Sequence, residues 1–323
     1  MAASRLALAI PTYNRAAVLA DTLLGLAPAL RELGVAVHVL DDSGNDDTAL
    51  AMRRLRERES LHIVYQHNQP GLRHDRNLIA ALLAPDADHV WLLGDGALVR
   101  EAGLRRVHAA LRGQDFVFLN CRNDEAGPSF DVPAADLRAY LVQQAWALTY
   151  TGATVYSRRV VQWWRNGQGV VVRNFPQLSV VLGHVAAHGD ARATVVGERI
   201  LTAHPQRSSS YWLAEAVSVW GTDWHAVISG NADAFGATAV PAVLKSHAQQ
   251  TGILGAKHLL ALRAIGRYSQ AVLAESGDTL PACTTVPGWG LRLIARLPQG
   301  LASAVLKARP SWRRRYLPRS AAT

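Results

Sequence analysis

Short apolar runs and helical apolar spacings alternate along the first 120 positions. Arg5–Ile10 (RLALAI), Val35–Leu40, Leu61–Tyr65, Val90–Leu93 and Asp115–Leu119 are runs of strand formers bounded by turn residues, and each predicts a buried β-strand. Between them, Val18, Leu19, Leu23, Leu26 and Leu30 recur at helical spacing and predict a helix over Ala16–Leu33, closed by Gly34. Further helices are expected over Thr48–Arg58, His74–Leu83 and Glu101–Leu111. Strands that alternate with helices at such short intervals predict an α/β fold, with a mainly parallel central sheet flanked by helices. Ligands of open α/β sheets sit beyond the carboxyl ends of the strands. The polar loops after the strands therefore place Tyr13, Asp42 and Asp95 along one rim.

The stretch His89–Arg100 (HVWLLGDGALVR) is the centre of this pattern. A buried strand breaks at Gly94-Asp95-Gly96, a turn that lifts one carboxylate out of the sheet. Two readings of Asp95 stand side by side: a ligand-facing acid, or a cap for the helix that follows.

The second half is less regular. Leu137–Thr149 and Phe175–Ala187 have helical spacing, Gly152–Tyr156 predicts a strand, and Asn120–Asp136, with Asp124, Glu125 and Asp131, predicts a polar, flexible loop. No Asp or Glu occurs between Leu137 and Gly189. His184 and His188 lie one turn apart on the second helix and are read as surface or satisfied histidines, or as a catalytic base or a metal-binding pair, because histidine titrates near neutrality. His204–Trp212 combines Arg207, three serines and two aromatics, a set suited to a diphosphate and a sugar. From Gly252 the chain turns to basic amphipathic helices, Gly252–Val272 and Gly290–Lys307. Their charges and Pro298 argue against a membrane-spanning helix, whereas Trp289, Trp312 and Arg313-Arg314-Arg315 suit the surface of an anionic membrane.

Composition sharpens this picture. The 323 residues are 49% hydrophobic and 18% charged, which excludes a disordered chain. A formal net charge of +9 favours an anionic partner. Two cysteines provide neither a disulfide framework nor a thiolate metal site. The N-terminal apolar run is too short for a signal-peptide core, so the expected location is cytoplasmic.

Neither G-x-G-x-x-G after the first strand nor G-x-x-x-x-G-K-[ST] is present. Four other blocks are: AIPTYNR at Ala9–Arg15, VLDDSGNDDT at Val39–Thr48, NQPGLRHDRN at Asn68–Asn77 and VWLLGDG at Val90–Gly96. In order and spacing they resemble the family 2 glycosyltransferases, most closely those of bacterial surface-polysaccharide synthesis, where the fourth block typically reads W-L-L-G-D-D-D. The resemblance implies the GT-A fold, here with a C-terminal helical extension. It also implies a donor site lined by Pro11, Thr12, Tyr13, Asn14, Arg15, Asp42, Arg76, Asp95 and Gly96, with Arg207 added from the serine-rich loop. An aromatic face suits a base, a carboxylate accepts from ribose hydroxyls, and a guanidinium pairs with phosphate.

The resemblance fails at one point. A divalent metal, Mg or Mn, would rest on Asp95 and neighbouring acids, but Gly96 and Ala97 stand at those positions. A hard cation needs several oxygen ligands, so the metal site is doubtful and arginines are candidates to replace it. The catalytic base is likewise open, with His184 and Asp190 as candidates beside Asp95, and His204 as a further metal ligand.

The resulting expectation is a sugar transferase using a nucleotide-diphospho-sugar donor and a saccharide or lipid-linked acceptor, peripheral at the inner face of the membrane. The alternative is a non-catalytic relative that binds nucleotide sugar or saccharide. No nucleic-acid motif accompanies the basic charge. The expected division is 1–120 for the donor half, 121–250 for the acceptor half and 251–323 for the basic helical region.

Overall fold

The computed structural model describes residues 5–121, 127–167, 169–206, 211–309 and 311–312. The chain forms two compact units that meet at Arg207/Ser208. The first unit contains, in order, β1 (Ala7–Thr12), α1 (Ala16–Leu33), β2 (Ala36–Asp41), α2 (Asp47–Glu59), β3 (Ile63–His67), α3 (His74–Leu83), β4 (His89–Leu92), β5 (Ala97–Val99) and α4 (Glu101–Ala110). It continues through β6 (Phe116–Asn120), β7 (Phe130–Val132), α5 (Ala134–Gln144), β8 (Thr154–Ser157), α6 (Arg158–Arg165), α7 (Pro176–Ala187), β9 (Ala193–Arg199) and β10 (Leu201–Ala203).

Eight strands form one sheet in the order β3-β2-β1-β4-β8-β6-β9-β7, and β5 pairs with β10 in a separate two-stranded ribbon. The β1–β2, β1–β4, β2–β3 and β6–β9 pairs are parallel. Strand β8 runs antiparallel to both neighbours, β4 and β6, and β7 is antiparallel to β9. The sheet is therefore mixed, but β1, β2, β3, β4, β6 and β9 all end at the same edge. The odd orientation of β8 brings its start to that edge, so the turn Tyr150–Ala153 lies there too.

Strand β1 is a continuous apolar run because a central strand of a helix-covered sheet is buried on both faces. Leu6, Leu8 and Ile10 share one core with Leu19, Leu23, Leu26 and Leu30 of α1. Helix α1 stops where Gly34 takes the left-handed conformation at φ 64°, and the Val35 N–H returns to the Leu30 carbonyl at 3.0 Å. Trp91 is fully buried beneath the rim, and its indole N–H donates to the Gly152 carbonyl at 2.9 Å. That bond ties β4 to the turn before β8.

Two elements depart from the sequence pattern. Asp131 lies in β7 on the sheet edge, where its carboxylate accepts from the Thr194 hydroxyl at 2.7 Å, rather than in a loop. Strand β9, whose run ATVVGER mixes small, apolar and charged residues, has no alternation strong enough to announce it.

The second unit is helical. It has a wide π-turn at Ser218–Asp223 followed by α8 (Trp224–Ser229), α9 (Val240–Thr251), α10 (Ala256–Ala264), α11 (Gln270–Glu275), α12 (Thr279–Cys283), α13 (Gly288–Arg296) and α14 (Gln299–Lys307). The boundary lies at 207/208 rather than 250/251 because residues after Ser208 pack with the C-terminal helices. Trp224 is fully buried and donates to the Leu244 carbonyl, while the Thr284 hydroxyl donates to the Leu254 carbonyl at 2.6 Å. His247 stacks on Trp220 with ring centroids 3.5 Å apart. Trp312 is half-buried against the Ala261, Ala264, Ala302 and Leu306 cluster, whereas Trp289 is 66% exposed, and Arg313, Arg314 and Arg315 lie outside the described residues. Among the described residues, no helix is long and apolar enough to cross a membrane.

Candidate active site at the carboxyl edge of the sheet

The turn after β4 is closed by the Ala97 N–H donating to the Gly94 carbonyl at 2.9 Å, with Asp95 and Gly96 at its tip. It is held from beyond as well. The His204 N–H, just after β10, donates to the Gly96 carbonyl at 3.0 Å and extends the β5–β10 ribbon. Asp95 is 9% exposed and does not cap α4, whose N-cap is Arg100.

Both Asp95 oxygens are engaged by the β1 block. Oδ2 accepts from the Thr12 hydroxyl at 3.0 Å and lies 3.4 Å from the Tyr13 N–H, and Oδ1 accepts from Arg15 Nη1 at 2.6 Å. The Arg15 side chain is 31% exposed and the Asp95 side chain 10%, so this ion pair sits at the mouth of the site rather than in open solvent. Tyr13 is 63% exposed and offers an aromatic face at the rim.

The β2 block joins the same cluster. The Asp42 N–H donates to the Thr12 carbonyl at 3.0 Å, and Asp42 Oδ1 accepts from Asn68 Nδ2 at 2.7 Å. Asn68 also reaches Asn77 Oδ1 at 3.1 Å, and Asn77 donates to the Leu40 carbonyl. The adjacent Asp41 has a different task. It is fully buried, accepts from the Ser43 N–H at 2.9 Å and from the Tyr65 hydroxyl at 2.9 Å, and so shapes the loop. The Asn14 N–H closes the arrangement by donating to Ser43 Oγ at 2.8 Å, with Asn14 in the left-handed region at φ 53°. The spacing of the blocks identifies Asp42 and Asp95; Asn68, Ser43 and Asp41, which hold the loops, carry no comparable sequence signal.

The structure thus brings Thr12, Tyr13, Arg15, Asp42 and Asp95 into one bonded cluster, with Pro11 near the end of β1 and Asn14 in the loop that follows. Arg76 lies exposed on the first turn of α3, with Arg73 just before it. Between them, Asp75 accepts from the Asn174 N–H at 3.1 Å and so links α3 to the segment before α7. Arg207 lies outside the described residues.

His184 and Asp190 are not at this site. Asp115 and Arg192 immediately precede β6 and β9, at the opposite edge of the sheet, and His184 Nε2 lies 3.4 Å from Asp115 Oδ1. His184 is fully buried, stacks on His188 at 4.1 Å and meets Phe116 and Trp163 edge-on. Burial lowers its pKa, which fits an uncharged packing residue. Asp190 is exposed and paired with Arg159 at 2.7 Å. The sequence places His184 correctly on a helix, with Asp190 just beyond it, but cannot say which end of that helix meets the rim.

A divalent metal would find few donors here: both Asp95 oxygens already accept hydrogen bonds, and Gly96 and Ala97 offer no side-chain ligand. His204 is also committed: Nε2 contacts Asp21 Oδ2 at 2.8 Å and Nδ1 accepts from the Gln206 N–H at 3.2 Å. Among the described residues no three His, Cys, Asp or Glu side chains group as a metal site would require.

Comparison with known proteins agrees with this architecture. No family model matches the chain. A stretch of 119 residues is 26% identical to abequosyltransferase RfbV of Salmonella typhimurium, covering 36% of this chain and 35% of that protein. The match therefore spans about a third of the relative's length. Among solved structures, S. aureus TarS 1-349 superposes with a TM-score of 0.55 at 12% identity, over 94% of this chain and 92% of that one. TarS has also been solved with UDP-GlcNAc, and that structure matches with a TM-score of 0.55 at 13% identity, over 86% and 89% of the two chains. The mannosyltransferase PcManGT from Pyrobaculum calidifontis, solved with GDP-Man and Mn2+, gives a TM-score of 0.51 at 17% identity, over 95% and 87%. The chain has the GT-A fold of these glycosyltransferases, as the four sequence blocks led us to expect.

Proposed function

We propose that the chain is a glycosyltransferase of the family 2 type, moving a sugar from a nucleotide-diphospho-sugar donor to a saccharide or lipid-linked acceptor in bacterial surface-polysaccharide synthesis. The observation that carries this reading is the bonded cluster Thr12–Asp95–Arg15, with Asp42 on Asn68 beside it, at the carboxyl edge of a GT-A sheet. In this reading Tyr13 lies against the base, Asp42 accepts from base or ribose hydroxyls, and the Asp95 cluster faces the diphosphate and the sugar. Pro11 and Asn14 shape the loop, Gly96 lets the backbone approach the donor, and Arg76 and Arg207 add positive charge. The partial match to an abequosyltransferase and the UDP-GlcNAc and GDP-Man of the structural neighbours support the donor class and leave the sugar open.

The chemistry asked of the site is simple. The sugar C1 exchanges its bond to a diphosphate oxygen for one to an acceptor hydroxyl, and the site must hold the donor while negative charge builds on the leaving diphosphate.

The reading extends to location, at the inner face of the membrane. Trp289 and Leu293 on α13, and Leu301 and Val305 on α14, are exposed apolar side chains among Arg292, Arg296 and Lys307. Such a surface suits anionic lipid. Full-length protein should sediment with anionic liposomes, and Trp289→Ala with Leu293→Ala should weaken that binding; equal sedimentation with neutral and anionic vesicles would refute the electrostatic part.

Turnover measured over a panel of nucleotide sugars tests the main proposal. Release of nucleoside diphosphate from one donor, lost in Asp95→Ala, is the expected result. Nucleotide affinity unchanged by calorimetry in both Asp42→Ala and Asp95→Ala would refute the site. Tight donor binding without transfer or hydrolysis on any acceptor tried would favour the binding-only relative.

A further inference from the structure

We propose that the Arg15 guanidinium occupies the place of a divalent cation at the leaving diphosphate, so that this chain binds and uses its donor without a metal. The inference rests on the nucleotide-sugar reading of the site and goes beyond it by naming the charge that the reaction needs. As the C1–O bond breaks, its electron pair stays on the diphosphate, and the acceptor hydroxyl oxygen bonds to C1 while its proton leaves to a basic group or water. The diphosphate thus gains a full negative charge, and a fixed positive group beside it lowers the barrier.

Three observations select Arg15. First, the acids that would hold a metal are missing: Gly96 and Ala97 follow Asp95, and His204 is bonded through both ring nitrogens. Second, the carboxylate that remains in that turn, Asp95, already has a cation on it, Arg15 Nη1 at 2.6 Å from Oδ1. A metal on Asp95 would have to displace that guanidinium or share its oxygen with it. Third, Arg15 is preorganised where its rivals are not. Asp95 is clamped on its other oxygen by Thr12 and Tyr13, so the ion pair is fixed relative to β1 and α1. Arg73 and Arg76 stand exposed on α3, and each would have to be ordered by the ligand.

Arg15 also has the right chemistry. A guanidinium carries its donors in a planar fork that suits phosphate oxygens, and the Arg15 side chain is partly open to the rim. It lies at the N-cap of α1, an 18-residue helix without an acid in its first turn, so the helix dipole adds positive potential at the same point.

The test is calorimetric and needs no acceptor. UDP, GDP, CDP and TDP are titrated into the full chain in excess EDTA and again with Mn2+, for the unmodified protein, Arg15→Ala and Arg15→Lys. The expected result is binding of at least one nucleoside diphosphate in EDTA, within about twofold of its affinity in Mn2+, and a loss of roughly 10- to 100-fold in Arg15→Ala. Arg15→Lys keeps a point charge without the fork and should fall between. Because Arg15→Ala frees Asp95, that variant should recover part of its affinity when Mn2+ is added. Binding by the unmodified protein that collapses in EDTA and returns with Mn2+ would overturn the inference and leave the site reading intact. No binding of any nucleoside diphosphate in either buffer would overturn both. The comparison of EDTA and Mn2+ on the unmodified protein decides the matter even where a variant fails to fold.

Discussion

The sheet carries a buried carboxylate at each edge, and the two are made of similar parts. At the carboxyl edge, Asp95 meets Arg15, a hydroxyl and a backbone N–H; at the amino edge, Asp115 meets Arg159, His184 and the Arg192 N–H at 3.0 Å. Their surroundings separate them. Asp95 opens onto the exposed ring of Tyr13, whereas Asp115 is roofed by His184, itself stacked among Phe116, Trp163 and His188. An acid with a basic neighbour is thus ambiguous until strand direction says which edge it occupies and packing says whether a ligand can reach it.

The largest effect expected from testing that contrast is on donor use. Asp95→Ala should lower turnover by two orders of magnitude or more, a loss comparable to removing one preorganised group at a developing charge. Asp190→Ala, at the far edge, should leave turnover unchanged. Equal losses in the two would dissolve the distinction between the edges.

Asp115→Ala should do the reverse. It removes the acceptor for a buried backbone N–H and a basic side chain, which costs about 1–3 kcal/mol of stability. Denaturant unfolding should show that loss while nucleotide affinity in calorimetry stays as it was. Weakened nucleotide binding in a variant that still unfolds cooperatively would mean that the amino edge communicates with the site.

A smaller effect appears in acid. His184 has its pKa lowered, chiefly by burial, and in the helical unit burial pushes His247 down to about 3. His247 is therefore neutral when folded, while in the unfolded chain it titrates near 6.5. Below that pH the unfolded state takes up a proton that the folded state refuses. Its stabilising contribution is thus whole above about pH 6.5 and drains away as the pH falls, by about 1.4 kcal/mol per pH unit, reaching its limit near pH 3; His184 adds to the loss in the same direction. Urea midpoints measured between pH 7 and 5 should fall, and His247→Phe should flatten the slope by one histidine's share. An unchanged slope in His247→Phe would show that His247 is not buried neutral.

Much of the first 120 residues was legible in the sequence because parallel strands buried on both faces leave continuous apolar runs. Helix α1 runs over Ala16–Leu33, as the spacing of its leucines and Gly34 predicts. Tyr13, Asp42 and Asp95 were also legible, since each follows such a run. The β5–β10 ribbon was not, because Ala97–Val99 and Leu201–Ala203 are too short to carry a period, and their pairing is decided by contacts between distant segments. The placement of His184 and Asp190 was illegible for a related reason: it depends on β8 running against its neighbours, which no local pattern encodes. Arg15 could be placed beside the carboxyl end of β1 through the AIPTYNR block, but its bond to Asp95 spans a sequence separation of 80 and appears only on folding.

That ribbon has a mechanical meaning. Leu98 and Thr202 are separated by 104 positions in sequence yet lie opposite one another in the ladder, so the ribbon acts as a reversible crosslink across the long excursion between them. The His204 N–H adds a last rung on Gly96, one residue from Asp95, and His204 is itself moored to Asp21 on α1. Opening that excursion would therefore have to break the ladder and the mooring before it disturbed the turn that carries Asp95.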